Sequence, residues 1–224
     1  MGKGIRARDA GRNGPAVRAP SRPCAIRAVL FDFDGTLTRP GVIDFEGIRR
    51  AIACPRGTPI LEYIESLPAA AAAPAWRILE RFEREAARRA TPNDGAETLL
   101  AALKRRRVRR GILTRNSRAS VVAALRNFRR ARVADFAVVI ARDHLRRQKP
   151  HPEGVLLAAR RLGLPPPALL VVGDYLFDVE AGRRAGAQTA FLESRLTTVR
   201  PDPPADFTIR ALADVAAIVE ESRA

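Results

Sequence analysis

Cysteine is almost missing from this chain: Cys24 and Cys54 are the only two in 224 residues. Two thiols build no disulfide framework, and neither stands in a Cys-x-x-Cys or Cys/His spacing that would hold a structural metal. A reducing, cytoplasmic setting is therefore expected. No apolar run approaches the roughly 20 residues needed to cross a bilayer, which excludes a membrane-spanning helix. Aromatic residues make up 5% of the chain and are not interleaved with the basic ones, so the stacking platform of a single-strand nucleic-acid binder is absent. Lysine occurs three times, at Lys3, Lys104 and Lys149, so arginine supplies 37 of the 40 basic residues (40 − 3). The net charge of +16 thus reads first as an arginine- and alanine-rich composition. Binding of nucleic acid or another polyanion through a basic tail is the reading from a different class, and its mark would be steep salt dependence. His144 and His151 have no paired carboxylate and no metal spacing, and are expected in loops or at the surface.

What is present suits one catalytic unit with a small second one, since 46% of residues are hydrophobic and 29% charged. Residues 1–26 are expected to form a disordered basic tail, with Lys3, Arg6, Arg8, Arg12, Arg18 and Arg22 against Asp9 alone. Order should begin in the apolar run 25–31, which stops at Asp32-Phe33-Asp34-Gly35-Thr36 as a buried parallel strand ending in a loop would. Further strand-like runs lie at 108–114, 136–140, 169–173 and 187–192. Helical spacing lies between or after them at 96–106, 120–128, 152–162, 179–185 and 211–221. This alternation predicts an α/β fold, a Rossmann-like three-layer core around a parallel sheet.

From Thr38 to Thr91 the rhythm changes. No strand pattern appears, and Ile48, Ile52, Ile60, Tyr63, Ile64 and Leu67 recur at helical spacing. A small inserted α-helical unit over 39–91 is expected, dividing a core made of 27–38 and 92–224. Leu67-Pro68 and the alanine run through Pro74 read as a turn or linker before a helix over 75–90, on which Glu80 can pair with Arg84 and Glu85 with Arg89.

Ligands of open α/β sheets bind beyond the carboxyl ends of the strands, and polar residues cluster at those ends here. Asp32 and Asp34 follow the first strand, Thr114, Arg115 and Asn116 the second, and Asp174 and Asp178 the fourth; Lys149 follows the third. Phosphoryl transfer needs a nucleophile, a proton donor, cations and donors to the non-bridging oxygens. Asp32 suits the nucleophile and Asp34 the acid and base. Asp32, Asp174 and Asp178 offer the hard oxygen ligands that Mg2+ prefers. Thr114 and Asn116 can position the phosphate, and Lys149 brings a compact positive charge where the chain otherwise writes arginine. Arg39, Arg49, Arg50 and Arg56 are candidate anchors for an anionic substrate tail.

Taken together, Asp32-Phe33-Asp34-Gly35-Thr36-Leu37 after an apolar strand, Thr114, Lys149-Pro150 and Gly173-Asp174-Tyr175-x-x-Asp178 resemble the four motifs of the haloacid dehalogenase-like hydrolase superfamily. The order matches across residues 28 to about 192. The tail Gly173 to Gly186 looks most like the phosphoglycolate phosphatase-like branch, although Arg115 departs from the commoner threonine–asparagine pair. The resemblance implies a Mg2+-dependent phosphomonoesterase with a helical cap, an aspartyl-phosphate on Asp32, and a metal contact of Asp34 through its backbone carbonyl. A small phosphorylated metabolite is the expected substrate, and a monomer or homodimer the expected state. A phosphosugar mutase, with a sugar hydroxyl in place of water, is the second enzyme reading.

Overall fold

Apolar residues that run without interruption for four or five positions can be buried on both faces, and such runs, 28–31 and 169–173, make two central strands of the sheet. The computed structural model describes residues 24–194 and 199–223. Its strands are β1 (Ala28–Phe31), β2 (Arg109–Leu113), β3 (Val138–Ile140), β4 (Leu169–Gly173), β5 (Gln188–Leu192) and β6 (Phe207–Ile209). They form one sheet in the order β3-β2-β1-β4-β5-β6, with every pairing parallel. β1 is therefore central: Phe31 lies level with Ile112 of β2 and with Val172 of β4. The chain leaves β1 toward β2 on one side and returns to β4 on the other, which opens a crevice beyond the carboxyl ends of these three strands.

The period of two along β1 sends alternate side chains to opposite faces. Val29 and Phe31 pack with residues of α4 (Ala96–Arg105), α5 (Arg118–Leu125) and α8 (Asp214–Glu221), Leu103, Val121 and Val215 among them. Ala28 and Leu30 pack with α6 (Glu153–Leu162) and α7 (Leu176–Ala185), through Val155, Leu162 and Ala181. The result is the expected three-layer, Rossmann-like α/β core. Gly163 and Gly186 close α6 and α7 in the left-handed region, at φ of 59° and 76°.

Three helices lie between β1 and α4: α1 (Phe45–Ala51), α2 (Ile60–Ser66) and α3 (Ala69–Arg89). They share a hydrophobic cluster of their own, built on Ile48, Ile52, Ile64 and Leu79. The C-terminal turn of α3 also reaches the main core through Ala87. An isolated bridge between Thr38 and Pro92 joins the points where the chain leaves and re-enters the core.

Two local expectations are corrected. The alanine run is not a linker but the first turns of α3, which starts directly after Pro68 and carries Pro74 inside it. Alanine's helix propensity, together with Pro68 accepting from Ala71 and Ala72 at 2.8 and 2.9 Å, outweighs the hydrogen bond that Pro74 cannot make. The sequence reading also omitted β6, whose three residues follow a proline-rich approach too short for a period of two to register. On α3, Glu80 and Arg84 approach to 3.9 Å. The expected disordered tail lies, through residue 23, outside the described residues, whereas Ile26 is fully buried and its N–H donates to Ser222 Oγ at 3.0 Å. No helix among the described residues is long and apolar enough to cross a membrane.

Candidate active site

Asp32 follows the last residue of β1, and its N–H still donates to Val172 O at 2.8 Å, as though extending the ladder. The chain then turns sharply. Gly35 stands at φ 79°, and a Cβ there would lie 2.2 Å from Asp174 Oδ2, so only glycine lets the loop come so close to the end of β4. Thr36 closes the approach from the other side, donating from Oγ1 to Asp174 Oδ1 at 2.9 Å. Gly173 serves the same end beneath Asp178, whose Cγ would lie 2.2 Å from an added Cβ. Asp178 itself is placed by the first turn of α7, where it accepts from Tyr175 N at 3.2 Å.

Ligand oxygens of Asp32, Asp174 and Asp178 thus lie within 4.8 Å of one another. Lys149, only 5% exposed, reaches this group from the segment after β3. Its Nζ donates to Asp32 Oδ1 at 2.6 Å, to Leu113 O at 2.9 Å and to Asp178 Oδ1. Burial alone would lower the lysine's pKa, but the Asp178 and Asp32 carboxylates push it up to about 12. One ammonium does not offset three carboxylates. Burial first, and then the charge of Asp32, hold Asp174 at about 6. Asp178 sits at about 7, because burial and the Asp32 charge outweigh the help from Lys149. A cluster of hard oxygen donors carrying uncompensated negative charge, with a glycine cradle at its edge, fits a divalent cation.

Asp34 stands apart from that trio. Asn116 Nδ2 donates to its Oδ2 at 2.5 Å. Surrounding protein and the charge of Asp32 raise its pKa to about 8, with smaller pushes from Glu83 and Asp174 and some relief from Asn116. A carboxylic acid that keeps its proton near neutral pH is poised for proton transfer. Thr114, 1% exposed at the end of β2, accepts from Asn116 N at 3.2 Å, which leaves its hydroxyl hydrogen free to donate into the cleft. The sequence-predicted residues Asp32, Asp34, Thr114, Asn116, Lys149, Asp174 and Asp178 all line one cleft of about 460 Å³.

Above this floor the walls come from the helical unit. Arg39 and Arg49 line the cleft, whereas Arg50 and Arg56 do not face it. Arg39 pairs with Asp94 at 2.6 Å. Arg49 is taken up inside its own unit, donating to Cys54 Sγ, Pro55 O and Thr58 O at 3.4, 3.0 and 2.6 Å.

Glu83, Arg142 and Glu62, which help to join the two units, had no place in the sequence reading. Glu83 of α3 is 3% exposed and pairs with Arg142, which follows β3. It also accepts from Ser117 N at 3.3 Å and Ser120 Oγ at 3.4 Å. The signal was present, since Glu83 falls four residues after Leu79 on the apolar stripe, and a charge there implies a buried partner. Arg142 further lies over the Trp76 ring, 5.1 Å from its centroid. Arg115 bridges the units in the same way, donating to Glu62 Oε2 of α2 at 2.5 Å and to Lys149 O at 2.8 Å. His144 and His151 accept from Ala141 N and Glu153 N at 3.0 and 3.1 Å, structural roles outside the cleft.

Residues 26–186 match the model of the haloacid dehalogenase-like hydrolase family. The N-acetylmuramic acid 6-phosphate phosphatase of Pseudomonas aeruginosa is 31% identical over 84% of this chain and 91% of its own length. The phosphoglycolate phosphatase of Xylella fastidiosa is 30% identical over 75% and 80%. Among solved structures, a hydrolase from Pseudomonas syringae shares the fold with a TM-score of 0.73 at 20% identity, over 87% of this chain and 98% of that one.

Proposed function

The chain belongs to the haloacid dehalogenase-like hydrolase family, and on that premise we propose that it is a Mg2+-dependent phosphomonoesterase that works through a phosphoryl group carried on Asp32. Phosphatase chemistry on a small phosphorylated substrate is supported by relatives that carry phosphatase names at 30% identity or above. One observation carries the mechanism: a partly buried, lysine-tethered carboxylate, Asp32, stands in an acidic cluster beside a second carboxylic acid, Asp34, whose pKa is pushed up to about 8.

In this reading Lys149 holds Asp32 Oδ1, leaving Oδ2 to attack phosphorus. The Asp32–phosphorus bond forms as the ester P–O bond breaks, and Asp34 delivers its proton to the departing alkoxide oxygen. Asp34, now a carboxylate, takes a proton from the water that attacks phosphorus. The Asp32–phosphorus bond then breaks, returning both carboxyl groups to their starting states. Asn116 keeps the Asp34 carboxyl aimed through both steps. The Thr114 hydroxyl donates to a non-bridging oxygen, where charge gathers in the transition state, and the Lys149 ammonium, held by Asp32, Leu113 O and Asp178, acts there as a fixed nearby positive charge. Asp32, Asp174 and Asp178, with the backbone carbonyl of Asp34, would hold Mg2+, which when bound offsets the charge between carboxylate and phosphate.

Phosphate release from a panel of phosphorylated metabolites, with Mg2+ and with chelator, tests this proposal. Turnover should require the cation, and Asp32→Asn should lower it by about a thousandfold or more. Cation-dependent turnover that survives Asp32→Asn would overturn the mechanism.

A further inference from the structure

The large hydrophobic side chains most exposed among the described residues are Phe45 at 54%, Val199 at 48% and Tyr175 at 46%. Two of the three, Phe45 and Tyr175, line the cleft that holds Asp32. Phe45 opens α1 and Tyr175 follows β4, so they come from the helical unit and from the core. The helical side adds Val42, Ile43, Ile60 and Leu61 to the same wall. On the core side the aromatic surface is fixed in place. Tyr175 meets Phe177 edge to face at 4.9 Å, and Phe177 is covered by the Arg115 guanidinium 5.0 Å from its centroid.

Charge in the cleft argues the same way. Six carboxyl groups line it, Asp32, Asp34, Glu46, Glu83, Asp174 and Asp178, against four cations, Arg39, Arg49, Arg115 and Lys149. Each of the four is already paired. Lys149 is bound to the acidic cluster, Arg115 to Glu62, Arg49 to its own loop and Arg39 to Asp94. A second anionic group on the substrate would have to compete with these partners inside a cleft where carboxyl groups outnumber cations, whereas an apolar face would cover aromatic surface that now meets water.

Resting on the phosphomonoesterase reading, we propose that the substrate's leaving group presents an apolar face, a ring or hydrocarbon surface, that packs between Phe45 and Tyr175. The wall selects for that face over a short charged chain.

Benzyl phosphate and phosphoglycolate share a CH2–O–PO3 group and differ in bearing phenyl or carboxylate. Calorimetric titration of both into the Asp32→Asn protein with Mg2+ reads the wall without turnover. Benzyl phosphate is expected to bind about tenfold tighter. Phe45→Ala and Tyr175→Ala should each narrow that ratio about threefold or more. Phosphoglycolate binding as tightly as benzyl phosphate, or a ratio untouched by both replacements, would overturn the proposal. Phosphate release by the unmodified protein is measured in parallel. A binding ratio that holds while no ester is hydrolysed would leave this inference standing and remove the phosphatase reading.

Discussion

At the scale of single residues, the charge state of the cleft floor sets both reactivity and stability. Asp34, Asp174 and Asp178 titrate in the folded protein at about 8, 6 and 7, against 3.8 for a free aspartate. Between those limits the folded chain binds protons that the unfolded chain has released, so these groups favour folding at low pH and cost stability as pH rises through the window. The lowered carboxylates, Asp135 and Glu153, act only below their ordinary range. Chelator-treated protein is expected to lose several degrees of Tm between pH 6 and pH 8, roughly, and added Mg2+ to restore more Tm at the higher pH. A melting temperature indifferent to Mg2+ at both pH values would remove the cation from this site. Gly35 offers a second test at this scale. Gly35→Ala places a Cβ against Asp174 at a positive φ, and is expected to cost about 1–3 kcal/mol in thermal unfolding and weaken Mg2+ binding measured by titration. The motif spacing put Asp32, Asp34 and Asp174 within reach of one another, because strand ends are local features. The elevated pKa values could not be read there, because desolvation depends on what the rest of the chain lays over the site.

At the scale of elements, α3 couples the helical unit to the core. Its Leu79 joins the helical cluster and its Ala87 the main core, and between them Glu83 pairs with Arg142 at side-chain exposures of 2% and 10%. Removing one partner of a buried pair leaves the other charge uncompensated, which costs about 3 kcal/mol or more. Glu83→Gln should therefore lower Tm by roughly 6–12 °C. Combining it with Arg142→Met should cost less than the two single changes added together. Strict additivity would show that the two side chains do not depend on each other. β4 was legible in the sequence to the residue, and β1, β2, β5, α4 and α6 to within a few positions, because a run or stripe of apolar residues marks each of them. α3 was shortened in that reading because two prolines outweighed five alanines when only local signals were counted. β6 was omitted because its pairing with β5, Ala190 to Phe207, is a tertiary fact.

At the scale of the molecule, the chain carries a net charge of +16, whereas in the cleft carboxyl groups outnumber cations six to four. The outer field draws a phosphate dianion toward the protein, and screening by salt weakens that attraction. With Mg2+ saturating, kcat/KM for a phosphomonoester should fall several-fold between low salt and about 0.2 M salt, while kcat changes much less. A kcat/KM unmoved by salt would show that the excess arginine is compositional only. The sequence by itself determined the α/β class, the parallel sheet and the carboxylates at its strand ends, because each rests on a period or a spacing within a dozen residues. Only the tertiary structure decided which charges are compensated and which surfaces line the cleft. Glu83 with Arg142, Glu62 with Arg115, and Phe45 with Tyr175 come from distant segments, and burial and electrostatic pairing take their values from neighbours that folding alone supplies.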